Sequence, residues 1–343
     1  MWYLVQDRLV IDGLWFNFMP SWWRRNYGLT FGERFVFDPD YRVEIHRFMA
    51  RALHDRFPDL HIGCPDPQPQ VILPDFANVI TPALAGCEVI YPEDNYPWNR
   101  HLAPDAIERL RPPADIAGAF PYSEIARQVA YLNGKLGRDV KPSWKNRGVL
   151  NDAELIGGPD FFADFAEDAP RSRILIDYCR AVLNALIIRN GRCASPSEMA
   201  ILTNCMVMMI SPASYRDKLL GYDLAAQELA YETGQQFGIH HCGSFERYAA
   251  GYRAIPRIDW IEIGWGSDIR TALALFPEAT IQYILSAVVV ASASRGKVRE
   301  MLSAILEGTR GQWHRFRLSM ADVEYGTPDE NLLEIYACCK EMR

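Results

Sequence analysis

Phe237-Gly-Ile-His240-His241-Cys242-Gly243 sets an imidazole and a thiol two residues apart, on what reads as a buried strand ending in a glycine turn. Strand side chains alternate faces, so His240 and Cys242 point one way and His241 the other. Imidazole nitrogen and thiolate sulfur are both donors that a tetrahedral zinc ion takes, so the pair is half of a zinc site. A His and a Cys that serve only as buried packing residues have the same spacing. Carboxylates that could complete the site follow further on. Glu262 stands near the end of the next strand-like run, and Asp322 follows the last one, Arg317-Leu-Ser-Met-Ala-Asp322. Either could be a third or fourth ligand, and Glu262 is also a candidate catalytic group. Each has an ordinary reading as well: Glu262 can pair with an Arg, and Asp322 can cap the turn before Gly326-Thr327-Pro328.

Groups this far apart in sequence meet only if successive strand ends converge. Strand-like runs lie at Leu14–Met19, Val71–Pro74 with Val89–Tyr91, Val140–Trp144, Ala200–Ile210, Phe237–Cys242, Ile258–Ile263, Thr280–Leu285 and Phe316–Met320. Helical stretches separate them, the clearest at Tyr41–Arg56, Ser123–Leu136, Phe161–Arg189, Tyr215–Gln236, Arg295–Glu307 and Glu330–Met342. Strand–helix alternation implies a parallel sheet covered by helices. About eight such units predict an α/β fold of the (β/α)8 TIM-barrel type, with chemistry at the C-terminal strand ends. A doubly wound open sheet would usually carry a Gly-rich turn after its first strand, and none is present. The expectation is one barrel domain over residues 1–343, with residues 1–65 as a helical, aromatic N-terminal cap.

Other residues could line a substrate pocket. Trp15, Trp22, Trp23 and Tyr27 crowd beside Arg24 and Arg25. They read as packing of the cap on the barrel, or as a wall of the pocket that stacks on an aryl methyl ether or a quaternary ammonium; Trp22 and Trp23 are the substrate-contact candidates. The run Pro92-Glu-Asp94-Asn-Tyr96-Pro-Trp98 follows a strand candidate. There Asp94 is a candidate acid or hydrogen-bond acceptor and Tyr96 a substrate contact, although Asp, Asn and Pro also build turns. Asn204 lies within the apolar run 200–210 and could bond a ligand or a structural partner. Met206, Met208 and Met209 read as core filling.

The totals exclude several classes. The 343 residues are 49% hydrophobic and 23% charged, which suits a globular enzyme. A net charge of -7 without a basic block argues against nucleic acid as a partner. The longest apolar stretches, such as Ala287–Ala291, are too short to span a bilayer. Met1–Arg8 lacks a basic region followed by a long apolar run, so no secretory leader is expected. The eight Cys include no CxxC, and a reducing, cytoplasmic location is expected.

Several segments together resemble the uroporphyrinogen decarboxylase superfamily, and within it the zinc- and corrinoid-dependent methyltransferases. They are Ile210-Ser-Pro-Ala-Ser-Tyr-Arg216 through Gly221-Tyr222, Gly238-Ile-His-His-Cys-Gly243, Phe316-Arg-Leu-Ser319, and Gly326-Thr-Pro-Asp-Glu-Asn-Leu332. The stretch from Ala83-Leu-Ala-Gly-Cys87 to Tyr96-Pro-Trp98 is also similar to the methyltransferase branch. The resemblance implies a (β/α)8 barrel with zinc on His240 and Cys242, and Glu262 matches an acidic ligand from the next strand. The family's usual third ligand, a Cys just after the last strand, is missing. No Cys lies between Cys242 and Cys338, and the matching region offers Asp322, or Glu324.

That departure bears on the reaction implied. Sulfur-rich zinc sites suit activation of a thiol acceptor, whereas more oxygen ligands make a harder Lewis acid. With Glu262 and Asp322 as ligands, the expected reaction is methyl transfer from a small methylated substrate, of methyl ether or methylamine/betaine type, to Co(I). The chain has no Asp-x-His-x-x-Gly corrinoid signature, so a separate corrinoid protein would carry the cobalamin. A homodimer is left open. The alternatives are methyl-corrinoid to thiol or folate transfer, a uroporphyrinogen decarboxylase-like decarboxylase, and a barrel kept only as a scaffold. The decarboxylases resemble one another in an N-terminal Met-Arg-Gln-Ala-Gly-Arg stretch, and this chain has Phe18-Met-Pro-Ser-Trp-Trp-Arg-Arg25 instead.

Overall fold

A computed structural model describes residues 14–74, 76–141, 147–193 and 199–341. The strands are β1 Leu14–Phe18, β2 Val89–Ile90, β3 Trp98–Asn99, β4 Met199–Thr203, β5 Gln236–His241, β6 Trp260–Ile263, β7 Thr280–Leu285 and β8 Phe316–Val323. Six of them form one sheet in the order β1-β8-β7-β6-β5-β4, and every neighbouring pair is parallel. Parallel neighbours need crossovers, and helices supply them: Leu220–Glu232 between β4 and β5, Ile269–Leu275 between β6 and β7, Arg295–Gly308 between β7 and β8. The strands are buried from both sides, so they read as nearly continuous apolar runs, as in Ile281-Gln-Tyr-Ile-Leu285.

The fold is therefore α/β and barrel-like, but the expected closed eight-stranded barrel is not formed among the described residues. The sheet stays open between β4 and β1. Val71–Pro74 is not a strand. Pro65, Pro67, Pro69 and Pro74 remove donors from this stretch, and proline cannot feed a sheet ladder. Instead the buried guanidinium of Arg42 donates to Ile72 O from Nε and Nη2, each at 3.1 Å. Val89–Ile90 pairs antiparallel with Trp98–Asn99, apart from the main sheet. In the Val140–Trp144 candidate, Val140 and Lys141 are not strand, and the rest lies outside the described residues.

The N-terminal part also differs from a simple cap. Within it, β1 is a sheet strand, in register with β8 from Leu14↔Leu318. Three helices follow, Pro20–Tyr27, Glu33–Phe37 and Pro39–Arg56; Asp38 caps the last by accepting from Asp40 N and Tyr41 N. Residues 1–13 of the expected extension lie outside the described residues. One apolar core runs from Leu14 and Trp22 through the strands to Cys339. No helix is long and apolar enough to cross a membrane.

Candidate metal centre

Sheet register sets the site. His240 on β5 lies beside Glu262 on β6, which lies beside Gln282 on β7. Residues in one rung of a parallel sheet share a face, so these three side chains form a chain of contacts across three strands. Gln282 Nε2 donates to Glu262 Oε1 at 2.6 Å, and the other carboxylate oxygen of Glu262 accepts from Nδ1 of His240. Glu262 is only 3% exposed, so both of its oxygens are committed to protein partners in a buried place.

With Nδ1 held by Glu262, Nε2 of His240 faces the other way, 2.9 Å from Cys242 Sγ. A second sulfur completes the group. Cys205 Sγ lies 2.7 Å from Cys242 Sγ, far outside the roughly 2.05 Å of a disulfide, and both thiols are free. Cys205, His240 and Cys242 each aim one donor atom into a space less than 4.8 Å across.

Cys205 is a candidate ligand that the sequence alone did not point to. The run 200–210 is not one strand: β4 ends at Thr203, and a 3-10 helix, Cys205–Met209, begins there. That change of path turns the Cys205 thiol toward the end of β5. Two close backbone contacts hold the junction. Asn204 N donates to His240 O at 2.8 Å, and Gly148 N donates to Thr203 O at 3.1 Å. A Cβ on Gly148 would sit 2.3 Å from that same oxygen, which only glycine avoids. On the other flank, a Cβ on Gly264 would fall 1.6 Å from Cys242 O, so glycine is needed where the chain leaving β6 passes the turn at Cys242.

Electrostatics within the group are strongly coupled. Hydrogen bonding between the two thiols lowers the pKa of Cys205 against the cost of burial, and raises that of Cys242. The pair holds one proton between two sulfurs. Burial opposes charge on His240, but hydrogen bonds to Cys205 and Glu262 outweigh it and push the pKa up to about 10. In the metal-free arrangement a sulfur anion thus sits beside an imidazolium. A cation that binds there displaces protons, because thiolate and neutral imidazole are the ligating forms.

The donor set fits zinc. Two sulfurs and one imidazole nitrogen are soft and borderline donors, and three such protein ligands would suit a zinc ion that keeps a position for substrate. The other nitrogen of His240 bonds to a carboxylate, as metal-ligating histidines usually do. Glu262, expected as a ligand, is thus placed behind His240 and not beside the sulfurs.

Asp322 is half-buried at the end of β8 and accepts from Asn17 Nδ2 at 3.3 Å; burial and then the Glu324 carboxylate push its pKa up. It lies outside the group of three donors. His241 faces away, fully buried, as the alternation requires. Its Nε2–H donates to Ser244 O at 3.3 Å, which leaves Nδ1 to accept from Tyr252 OH at 2.9 Å. Burial lowers its pKa, in keeping with a neutral ring.

The substrate candidates lie in different places. Asn204 is buried and donates to Asp223 Oδ2 at 2.7 Å, the oxygen that also accepts from Tyr215 OH at 2.7 Å. Trp22 and Trp23 are each 1% exposed, edge to face at 4.8 Å, packed with Phe18 and Tyr27. Asp94 is exposed and Tyr96 half-buried on the loop between β2 and β3. That loop lies on the N-terminal helices, where Phe31 N donates to Glu93 O at 2.9 Å and Arg24 pairs with Glu93 at 3.3 Å. Met208 and Met209, read as core filling, are 41% and 64% exposed beside the site, because the 3-10 helix after β4 turns them outward.

With this geometry in place, comparison with solved structures gives a fold match. The chain is similar in structure to a methyltransferase from Methanosarcina mazei. The TM-score is 0.62, over 89% of this chain and 88% of that one. Sequence identity is 17%, a level at which the fold alone is shared. No family model and no curated protein matches the sequence.

Proposed function

We propose that the chain is a zinc-dependent methyltransferase that works with a separate corrinoid protein, and that it moves the methyl group from the methyl-corrinoid to a small thiol acceptor. The observation that carries this is the convergence of Cys205, His240 and Cys242 on one space at the ends of β4 and β5. A sulfur-rich donor set favours thiol activation, whereas the oxygen-rich set of Glu262 and Asp322 would have favoured a methylated oxygen or nitrogen donor. The fold match to a methyltransferase supports the same class.

Cys205, His240 and Cys242 would hold zinc, which would supply a Lewis acid to lower the proton affinity of a thiol. The chain's own groups set up that position. Glu262, itself oriented by Gln282, keeps the proton of His240 on Nδ1 and turns Nε2 toward the sulfurs. Cys242 is exposed, which leaves the group open to small molecules from the strand ends. Asp322, within electrostatic range of His240 and with its proton affinity raised, can take or return the acceptor's proton.

The test is demethylation of methylcobalamin, and of the methylated corrinoid protein, by zinc-loaded enzyme with a panel of small thiols. Loss of the methyl-Co(III) spectrum that requires both thiol and enzyme is the expected outcome. Methylation of Co(I) by methyl ethers or methylamines, without thiol turnover, would reverse the direction. No change of either spectrum would remove the methyltransferase reading.

A further inference from the structure

We infer that Cys205 and Cys242 form an oxidative modification site, in which a peroxide links them as a disulfide and thereby closes the metal centre. The inference deepens the zinc reading by adding a regulation of the same residues, but it rests on their geometry and not on the metal.

The two sulfurs are 2.7 Å apart without being bonded. They come from the segments that follow two neighbouring parallel strands: β4 and β5 pair in register as far as Thr203↔His240, Cys205 opens the 3-10 helix after β4, and Cys242 follows the end of β5. The sulfurs have to close by well under an ångström to reach the roughly 2.05 Å of a disulfide. Access is also selective. Cys242 is the exposed thiol among the described residues, Cys64 and Cys205 are partly exposed, and Cys87, Cys179, Cys338 and Cys339 are buried.

The chemistry balances with a peroxide as oxidant. The sulfur anion that the pair holds attacks the peroxide oxygen and, with one proton taken up, gives a sulfenic acid and one water. The other thiol displaces that oxygen, which leaves as a second water with the thiol proton. Two thiols and one hydrogen peroxide thus give one disulfide and two waters. A disulfide sulfur is a poor metal donor, and His240 alone cannot hold zinc against solvent, so linkage and metal binding exclude each other.

The experiment treats the full chain, freed of reductant, with a few equivalents of hydrogen peroxide. Remaining thiols are then blocked, and the protein is read by intact mass, peptide mapping and zinc release to a chromophoric chelator. Expected are a loss of two hydrogens, a linked peptide pair carrying Cys205 and Cys242, and roughly one zinc released per link, all reversed by a dithiol reductant. Cys205→Ser should form no link and let Cys242 run on to sulfinic acid, and Cys64→Ser should behave as the parent. Sulfinic acid at Cys242 in the parent chain without a link would overturn the inference. So would both thiols remaining open to blocking, or a link from Cys242 to Cys64. If the chain binds no zinc and the link still forms, the modification site stands and the metal reading falls.

Discussion

Glu262 holds the Nδ1 side of His240, and Cys242 lies 2.9 Å from Nε2 on the opposite side of the ring. One carboxylate therefore decides which nitrogen can meet a metal. Removing such a partner usually costs 10- to 100-fold in metal affinity. Glu262→Ala is expected near the upper end, because His240 loses its orientation. Glu262→Gln keeps an acceptor and should lose about tenfold. Competition with a chromophoric zinc chelator reads both. Unchanged affinity in Glu262→Ala would mean that the carboxylate does not orient the ligand.

Cys205 brings a second sulfur to within 2.7 Å of Cys242. Elemental analysis should find about one zinc per parent chain, and far less in Cys205→Ala and Cys242→Ala alike. Cys338→Ala removes a thiol that is buried on the helix Asp329–Glu341, and should keep its zinc. Full zinc in Cys205→Ala would return the third-ligand role to Asp322.

Asp223 gives a pH dependence of stability. Burial outweighs its bonds from Tyr215 and Asn204 and raises its pKa from 3.8 to about 6. The folded chain thus holds this proton more tightly than the unfolded one. The stability from that proton is complete below about pH 4 and is lost as pH rises through about 6, a change on the order of 3 kcal/mol. Asp152, also raised to about 6 by burial, acts in the same sense. Asp223→Asn can accept both bonds at the same position without a charge. Its urea midpoint should change less between about pH 4 and pH 7.5 than the parent's, and should be higher near neutrality. A parent-like pH profile in the variant would show that Asp223 does not titrate in this range.

Gly264→Ala tests the close passage of β6 beside the site. Its Cβ would fall 1.6 Å from Cys242 O, so one backbone must shift. Overpacking of this kind costs about 1–3 kcal/mol or more, and here it also moves a metal donor. Both the thermal midpoint and the zinc stoichiometry should fall. A normal zinc content would show that the turn at Cys242 can relax.

Trp22 and Trp23 separate packing from substrate contact. Both are enclosed, and Trp22 also carries Arg56 over its ring at 4.9 Å. Trp22→Ala should cost about 3–5 kcal/mol of stability. Trp23→Phe should fold with KM unchanged, as measured in the methyl-transfer assay. A raised KM in Trp23→Phe with an unchanged thermal midpoint would return this residue to the pocket wall.

The sequence by itself determined the alternation of strands and helices, because apolar runs and amphipathic stretches are local properties. It also determined that His240 and Cys242 share a face while His241 is turned inward, because strand alternation needs no information from elsewhere in the chain. Three matters were decided only by the tertiary structure. Cys205 joins Cys242 across 37 residues because β4 stops at Thr203 and lies in register with β5, and no local spacing records that. Glu262 sits behind His240 because the rung His240↔Glu262↔Gln282 aligns three strands, which fixes its role as a hydrogen-bond partner. The sheet stays open between β4 and β1, and prolines deprive residues 65–74 of ladder donors, so strand-like apolar character at Val71–Pro74 goes into packing and the bond from Arg42. Pairing partners decide whether an apolar run becomes a strand, and they come from the whole chain.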